Sequence, residues 1–357
     1  RTLQDVDFCL FAFGMATAKT AKTTKTTTLI LVAVLVRNWT FAQLKVDQFD
    51  LEWTQTRSLL PKKEDRDVKE EVLKRLHLAS EKGVAALREP LEGLRVVPFG
   101  SSVSGCGEAT SDVDAALWFN PGPRNTKAVP PKEILKRLAA VCSETPEFGF
   151  QVIETRFAAK VPVLVLEFES KITCDVSVFR LLPAYNTKLL RAYAELVPAL
   201  PSLVIAVKRW AKQRKLAQTF QQYISSYSWT LMVIFFLQVK YRIPSLHQLY
   251  KKQQPPKTTE VYAFDFVDPK REFKEVDQVT GVSRENGENG ENGAQVEQTP
   301  PEPVPPELPK LFGEFFRYFG EDFRWDTDVV SVRLGFPAER KSRHFHPKLF
   351  RLFHVHK

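Results

Sequence analysis

Three aspartates carry the chemistry this sequence suggests. Asp112 and Asp114 stand two apart in SDVDAALWF, where an apolar run begins. Strand side chains alternate faces, so the two carboxylates point the same way while Val113, Ala115 and Leu117 point into a core. Neighbouring carboxylates repel and cannot both ionise cheaply without a cation between them. A hard divalent ion with oxygen ligands meets that need, Mg²⁺ first and Mn²⁺ as the alternative. Mg²⁺ usually works with phosphates, and Gly100-Ser101-Ser102, just upstream, offers backbone N–H groups and hydroxyls with little bulk. Further on, ITCDVSVF at 172–179 alternates so that Asp175 emerges on the face opposite Cys174, Val176 and Val178. Three carboxylates can hold two metal ions roughly 3.5–4 Å apart, the arrangement for in-line phosphoryl transfer.

Two cations and a serine cluster suit the same chemistry. PSLVIAVKRWAKQRK at 201–215 reads as a helix with Pro near its start. Lys208 and Lys212 lie four apart on one face of it, fit for a triphosphate, while Val204, Val207 and Ala211 serve the core. SSYSW at 225–229 opens a second helix, with Ser as N-cap and free N–H groups that form an anion site. That helix is apolar all round, hence buried between layers, and too short to cross a bilayer.

The elements that must position these groups follow. The run 94–99 (LRVVPF) is an expected strand, followed by a small-residue turn at 100–102 and a Gly-containing loop at 104–110. Residues 62–67 read as a charged linker. Residues 68–87 read as an amphipathic helix with Val72, Leu73, Leu76, Leu78 and Ala79 on or near one side. A helix at 131–142 and strands at 148–157 and 161–168 come before the Asp175 strand. From 189 the pattern turns helical, first over 189–196, and helical order recurs over 311–319 before a short strand at 329–333.

The chain has 357 residues and net charge +9, which suits a polyanionic partner such as nucleic acid or nucleotide. Four cysteines (Cys9, Cys106, Cys142, Cys174) form no CxxC pair, so neither a zinc site nor a disulfide framework is expected. Met15 begins a stretch without acidic residues, and the apolar run 29–36 (LILVAVLV) is far shorter than the ~20 residues of a membrane span. A signal peptide or organelle leader is one reading of it. Residues 270–307, with the ENG repeat and a proline-rich stretch, read as a flexible insertion. The His-x-His pairs His344/His346 and His354/His356 lack acidic or Cys partners nearby and are not read as a metal site.

FGSSVSG with SDVD at 99–114, TCDVSVF at 173–179, YNTKLLRAY at 185–193, VKRWAKQRKL at 207–216 and SSYSWTLMVIFFLQ at 225–238 together resemble the poly(A) polymerase and terminal uridylyltransferase family. This is a branch of the DNA polymerase β-like nucleotidyltransferases. The resemblance covers about residues 68–250, with a weaker match over 308–335. It implies an α+β chain: a nucleotidyltransferase palm, a mixed sheet with helices on one face, plus a mainly helical domain, the two forming a cleft. The expected division is a leader over 1–61, a palm over 62–182 and a helical domain over 183–357. By the same resemblance Asp112, Asp114 and Asp175 bind the metals. Gly100, Ser101 and Ser111 hold phosphates, Lys208 and Lys212 neutralise the triphosphate, and Ser226 bonds its end. Tyr227 stacks on the base, and Asn186 reads the ribose 2′-hydroxyl and base edge with Thr187 beside it.

The implied activity is template-independent addition of nucleotides to an RNA 3′ end, with UTP preferred and ATP the alternative. The acidic I-E-D-P-F-E-type motif that the family carries after the strand matched at 329–333 does not appear, so a C-terminal truncation is expected. A catalytically impaired RNA-binding or scaffold relative is the reading from another class. No separate RNA-binding module is recognisable, so the basic cleft or a partner protein would hold RNA. The expected setting is cytoplasmic, or an organelle if the leader acts, with no membrane partner.

Overall fold

The computed structural model describes residues 55–85, 91, 93–119, 129–178, 182–217, 224–253, 266 and 308–339. The apolar run at 29–36, the insertion at 270–307 and the four C-terminal histidines lie outside the described residues.

Helix α1 (Lys63–Ala85) starts inside the stretch read as a linker. Glu64 and Asp65 occupy its first turn, where negative charge complements the free N–H groups. The Lys62 N–H donates to the Asp65 carboxylate at 2.8 Å, which is why a charged run nucleates helix here. Val72, Leu76 and Ala79 are fully buried, but Leu78 is 51% exposed. Leu78 lies two residues from Leu76, about 200° round a helix, so it cannot share that face.

The palm sheet has five strands: β1 (Arg95–Phe99), β2 (Val113–Trp118), β3 (Phe150–Arg156), β4 (Val163–Phe168) and β5 (Ile172–Val178). Their order is β1-β2-β5-β4-β3; β2 and β5 run parallel and the other neighbours antiparallel. A helical turn, α2 (Ser101–Ser104), stands where a simple turn was expected after β1. Helix α3 (Pro131–Glu144) packs with α1 on one face of the sheet. Cys174, Val176, Val178, Leu164, Leu166, Phe150 and Val152 turn toward those helices to build the palm core. The opposite face is therefore free to carry polar groups.

A second core belongs to the helical part: α4 (Leu182–Leu196), α5 (Leu200–Gln213), α6 (Ser226–Tyr241), α7 (Leu246–Gln253) and α8 (Leu308–Arg317). α4 starts seven residues earlier than its apolar pattern suggests, with Pro183 in the first turn, where a missing N–H costs nothing. α6 is buried from Ser228 through Gln238, as its unbroken apolar run requires. The Ser228 N–H donates to the Ser225 hydroxyl at 3.1 Å, closing the N-cap. Among the described residues no single helix is long and apolar enough to cross a membrane. The strand expected at 329–333 is shorter than read: Asp328–Val329 (β6) pairs with Ala338–Glu339 (β7), and beyond it Ser331 makes a single isolated bridge. Val330, Ser331 and Val332 are buried, the two valines in the helical core.

The two parts are tied together beside the carboxylates. Cys106, from the loop after α2, is packed in the helical core. The Ala109 N–H donates to the Leu59 carbonyl at 2.8 Å, and Arg209 of α5 reaches the Gln55 side chain at 2.7 Å. Residues 55–60 thus strap the loop leading into β2 against the helical part.

Candidate active site

Strand register brings the carboxylates together. Asp114 lies opposite Asp175 across the parallel β2–β5 pair, so both side chains leave the same face. Asp112 sits just before β2, close enough to act electrostatically on both. Burial pushes the Asp114 carboxyl up to about 7, and the charges of Asp175 and Asp112 add to it, against Lys208. Asp175 is also raised, by burial first, with Arg156 opposing and Asp112 and Glu154 adding.

Gly100 makes room for this pair. Its φ is +83° and ψ −162°, a conformation essentially restricted to glycine. A Cβ there would lie 2.0 Å from Asp114 Oδ2. The Gly100 N–H is not free for a phosphate; it donates to Thr187 Oγ1 at 2.8 Å. Thr187, buried on α4, in turn donates to the Pro183 carbonyl at 2.8 Å. Gly100 therefore contributes space and Thr187 a brace between the first turn of α4 and the loop that carries Ser101.

A cavity of about 700 Å³ opens between this loop and the helical part. Gly100, Ser101, Ser111, Asp112 and Asp114 line it on the palm side; Asn186, Thr187, Lys208, Lys212, Ser226 and Tyr227 line it on the helical side. Asp175 does not line the cavity and lies beyond Asp114 in the sheet. Lys208 donates to the Cys106 carbonyl at 3.0 Å, which fixes the ammonium at the junction of the two parts. Burial lowers its pKa and Lys212 adds to that, against Glu108 and Asp114 among others. Asn186 Oδ1 is buried without a hydrogen-bond partner, at a considerable cost unless a ligand supplies a donor.

Several lining residues were not singled out from sequence: Ser104, Cys106, Glu108, Thr110, Leu190, Ala217 and Thr230 among them. Thr230 was within reach of the helical period, since it stands one turn after Ser226 and donates to the Ser226 carbonyl at 3.1 Å. The loop residues carry no periodic signal. Among the described residues no three of His, Cys, Asp and Glu already stand close enough to hold an ion. The donor set still fits a hard cation: Asp114 and Asp175 share one face with Asp112 just before it, and burial, with the neighbouring charges adding, drives Asp114 toward neutrality.

Residues 50–195 match the family model for the central palm domain of mitochondrial-like poly(A) RNA polymerases. Human terminal uridylyltransferase 7 is 30% identical over 189 residues, covering 51% of this chain and 12% of that protein. Poly(A) RNA polymerase gld-2 of Caenorhabditis elegans is 28% identical over 265 residues, covering 73% of this chain and 21% of the relative. The chain thus spans a small part of the relatives it matches. Among solved structures, Cid1 in complex with its short product ApU superposes with a TM-score of 0.61 at 18% identity, covering 85% of this chain and 82% of that one. The GLD-2/RNP-8 complex gives 0.59 at 23% identity, covering 84% and 82%. These superpositions establish the fold, a palm with a facing helical part. Palm sequence, fold and relatives agree: residues 50–195 match the central palm domain of mitochondrial-like poly(A) RNA polymerases, and the chain is similar to terminal uridylyltransferases and poly(A) polymerases.

Proposed function

We propose that this protein adds nucleotides, without a template, from a nucleoside triphosphate to the 3′-hydroxyl of RNA. The observation that carries this reading is the register of Asp114 with Asp175, with Asp114 lining a cavity whose helical wall presents Lys208 and Lys212. Phosphoryl transfer asks a protein for positioning and charge neutralisation more than covalent help, and these residues supply both. Asp112, Asp114 and Asp175 would hold Mg²⁺, with Mn²⁺ as substitute. When bound, the ion supplies charge neutralisation at the reacting phosphate and a lowered pKa at the attacking hydroxyl.

Lys208 and Lys212 face the triphosphate tail, with the Ser101, Ser111 and Ser226 hydroxyls as its hydrogen-bond partners. Tyr227 offers a ring for any base, since every base has a π-face. The unpartnered Asn186 Oδ1 accepts from the ribose 2′-hydroxyl or the base edge, which selects ribonucleotides. Solved structures of Cid1 with MgGTP and with ApU, and of GLD-2 with RNP-8, support a magnesium nucleotide, an RNA end and a partner protein as the ligand classes.

UTP is the preferred donor, in line with the uridylyltransferase relatives. The palm match to mitochondrial-like poly(A) polymerases favours ATP as the second reading. Incubating the full chain with labelled RNA, Mg²⁺ and each nucleotide separately tests both. The expected product is a 3′-extended ladder with one pyrimidine or purine nucleotide dominant, abolished in Asp112→Ala, Asp114→Ala and Asp175→Ala. Full activity in Asp175→Ala would overturn the reading.

A further inference from the structure

Strand β3 carries a bulge whose extra residue is Ile153. Before it, Phe150 and Val152 face the palm core; after it, Thr155 pairs with the core residue Leu164, and Phe157 packs on that same core. The bulge therefore turns Glu154 and Arg156 onto the opposite face, the one that bears the carboxylates. One row of neighbours then crosses the whole sheet: Glu154, Val165, Asp175, Asp114, Phe99. Arg156 stands at the open end of that face. Its Nη2 donates to Glu154 Oε2 at 2.7 Å, and its Nη1 lies 3.9 Å from Asp175 Oδ2. A guanidinium has five N–H donors, and this side chain is 47% exposed, so donors remain for a ligand.

The nucleotide cavity reaches Asp114 but neither Asp175 nor Arg156. In an in-line displacement the attacking oxygen approaches opposite the leaving group. With the triphosphate tail toward Lys208 and Lys212, the RNA 3′-hydroxyl comes from the Asp175 side, where Arg156 stands. An exposed ion pair contributes little to stability, so the fold does not require this arginine.

We propose that Arg156 is a positioning residue for the RNA, its guanidinium gripping the last phosphodiester before the 3′-terminal nucleotide while Glu154 holds the guanidinium in place. This rests on the nucleotidyl-transfer reading above. The planar fork matches two phosphate oxygens, which a lysine does with one point charge.

The test uses short RNAs whose last phosphodiester is either normal or an uncharged methylphosphonate, with binding to the full chain followed by fluorescence anisotropy. The wild type binds the methylphosphonate RNA about tenfold more weakly, as loss of a charge-assisted contact implies. Arg156→Ala binds both RNAs equally, at the weaker level, and Arg156→Lys falls between. Arg137→Ala removes the same charge from α3, on the far face of the sheet, and behaves as wild type. In extension assays Arg156→Ala raises KM for RNA by a like factor and leaves KM for the nucleotide unchanged. A full methylphosphonate penalty in Arg156→Ala, or a rise in nucleotide KM instead, overturns the proposal. If the wild type extends no RNA with any nucleotide, nucleotidyl transfer is what fails, and the anisotropy pair still decides whether Arg156 grips that phosphate.

Discussion

Substituting Gly100 by alanine should separate backbone strain from damage to the site. Gly100 combines φ +83° with ψ −162°, and holding a side chain there costs about 1–3 kcal/mol. The added Cβ would also meet Asp114 Oδ2 at 2.0 Å and Cγ at 2.9 Å, far inside contact distance. β2 is laddered on both sides, so its backbone cannot retreat and the carboxylate must swing away. A misplacement of about 1 Å at a reacting centre costs on the order of 100-fold in rate. Gly105 provides the comparison. Its φ is +82° with ψ −1°, and a Cβ there would find Ala194 Cβ at 3.8 Å, an ordinary contact. Gly105→Ala should therefore lose about 1–2 kcal/mol from the left-handed conformation alone. Denaturant melts should show both variants destabilised by similar amounts, while single-turnover extension should collapse only in Gly100→Ala. Wild-type rate in Gly100→Ala, or an equal rate loss in Gly105→Ala, would refute the reasoning.

Three further outcomes follow from the same geometry. Asp114→Asn should stabilise the metal-free fold at alkaline pH: the native carboxyl, raised from 3.8 to about 7, binds more protons than the unfolded one, so stability falls as pH rises through that window. At 1.36 kcal/mol per pH unit the gain is about 4 kcal/mol at most above pH 7. It should vanish below about pH 4, where native and unfolded carboxyls are both neutral, as melts in chelator would show. Thr187→Val should cost about 1–3 kcal/mol by orphaning the Gly100 N–H, whereas Thr187→Ser, which keeps the hydroxyl, should melt near wild type. Lys208→Met should raise the nucleotide KM about tenfold or more while leaving the RNA KM in place, the reverse of the Arg156→Ala pattern.

Period-2 alternation around Asp114 and Asp175, together with the glycine-serine turn, was enough to expect from the residues alone that the two carboxylates leave exposed strand faces near that turn. An alternating strand commits each side chain to a face whatever its neighbours do. The Lys208/Lys212 face and the Ser225 cap were legible for the same reason, since helical spacing and capping are local. The partnership of Asp114 with Asp175 was not local: it depends on which strands lie side by side and in what register, and β5 pairs with β2 although β3 and β4 come between them in the chain. The charged start of α1 misled because an acidic cap and a linker have the same composition, and a hydrogen bond from Lys62 to Asp65 tells them apart. Arg156 was not singled out from the sequence, although the apolar parity shifts between Val152 and Phe157. Only the folded sheet turns that shift into a bulge, and only the bulge sets a guanidinium beside Asp175. Sequence thus determined which faces the reactive groups would occupy, because that follows from backbone period. Tertiary structure decided which faces would meet, because pairing across the sheet and packing across the cavity depend on residues far apart in the chain.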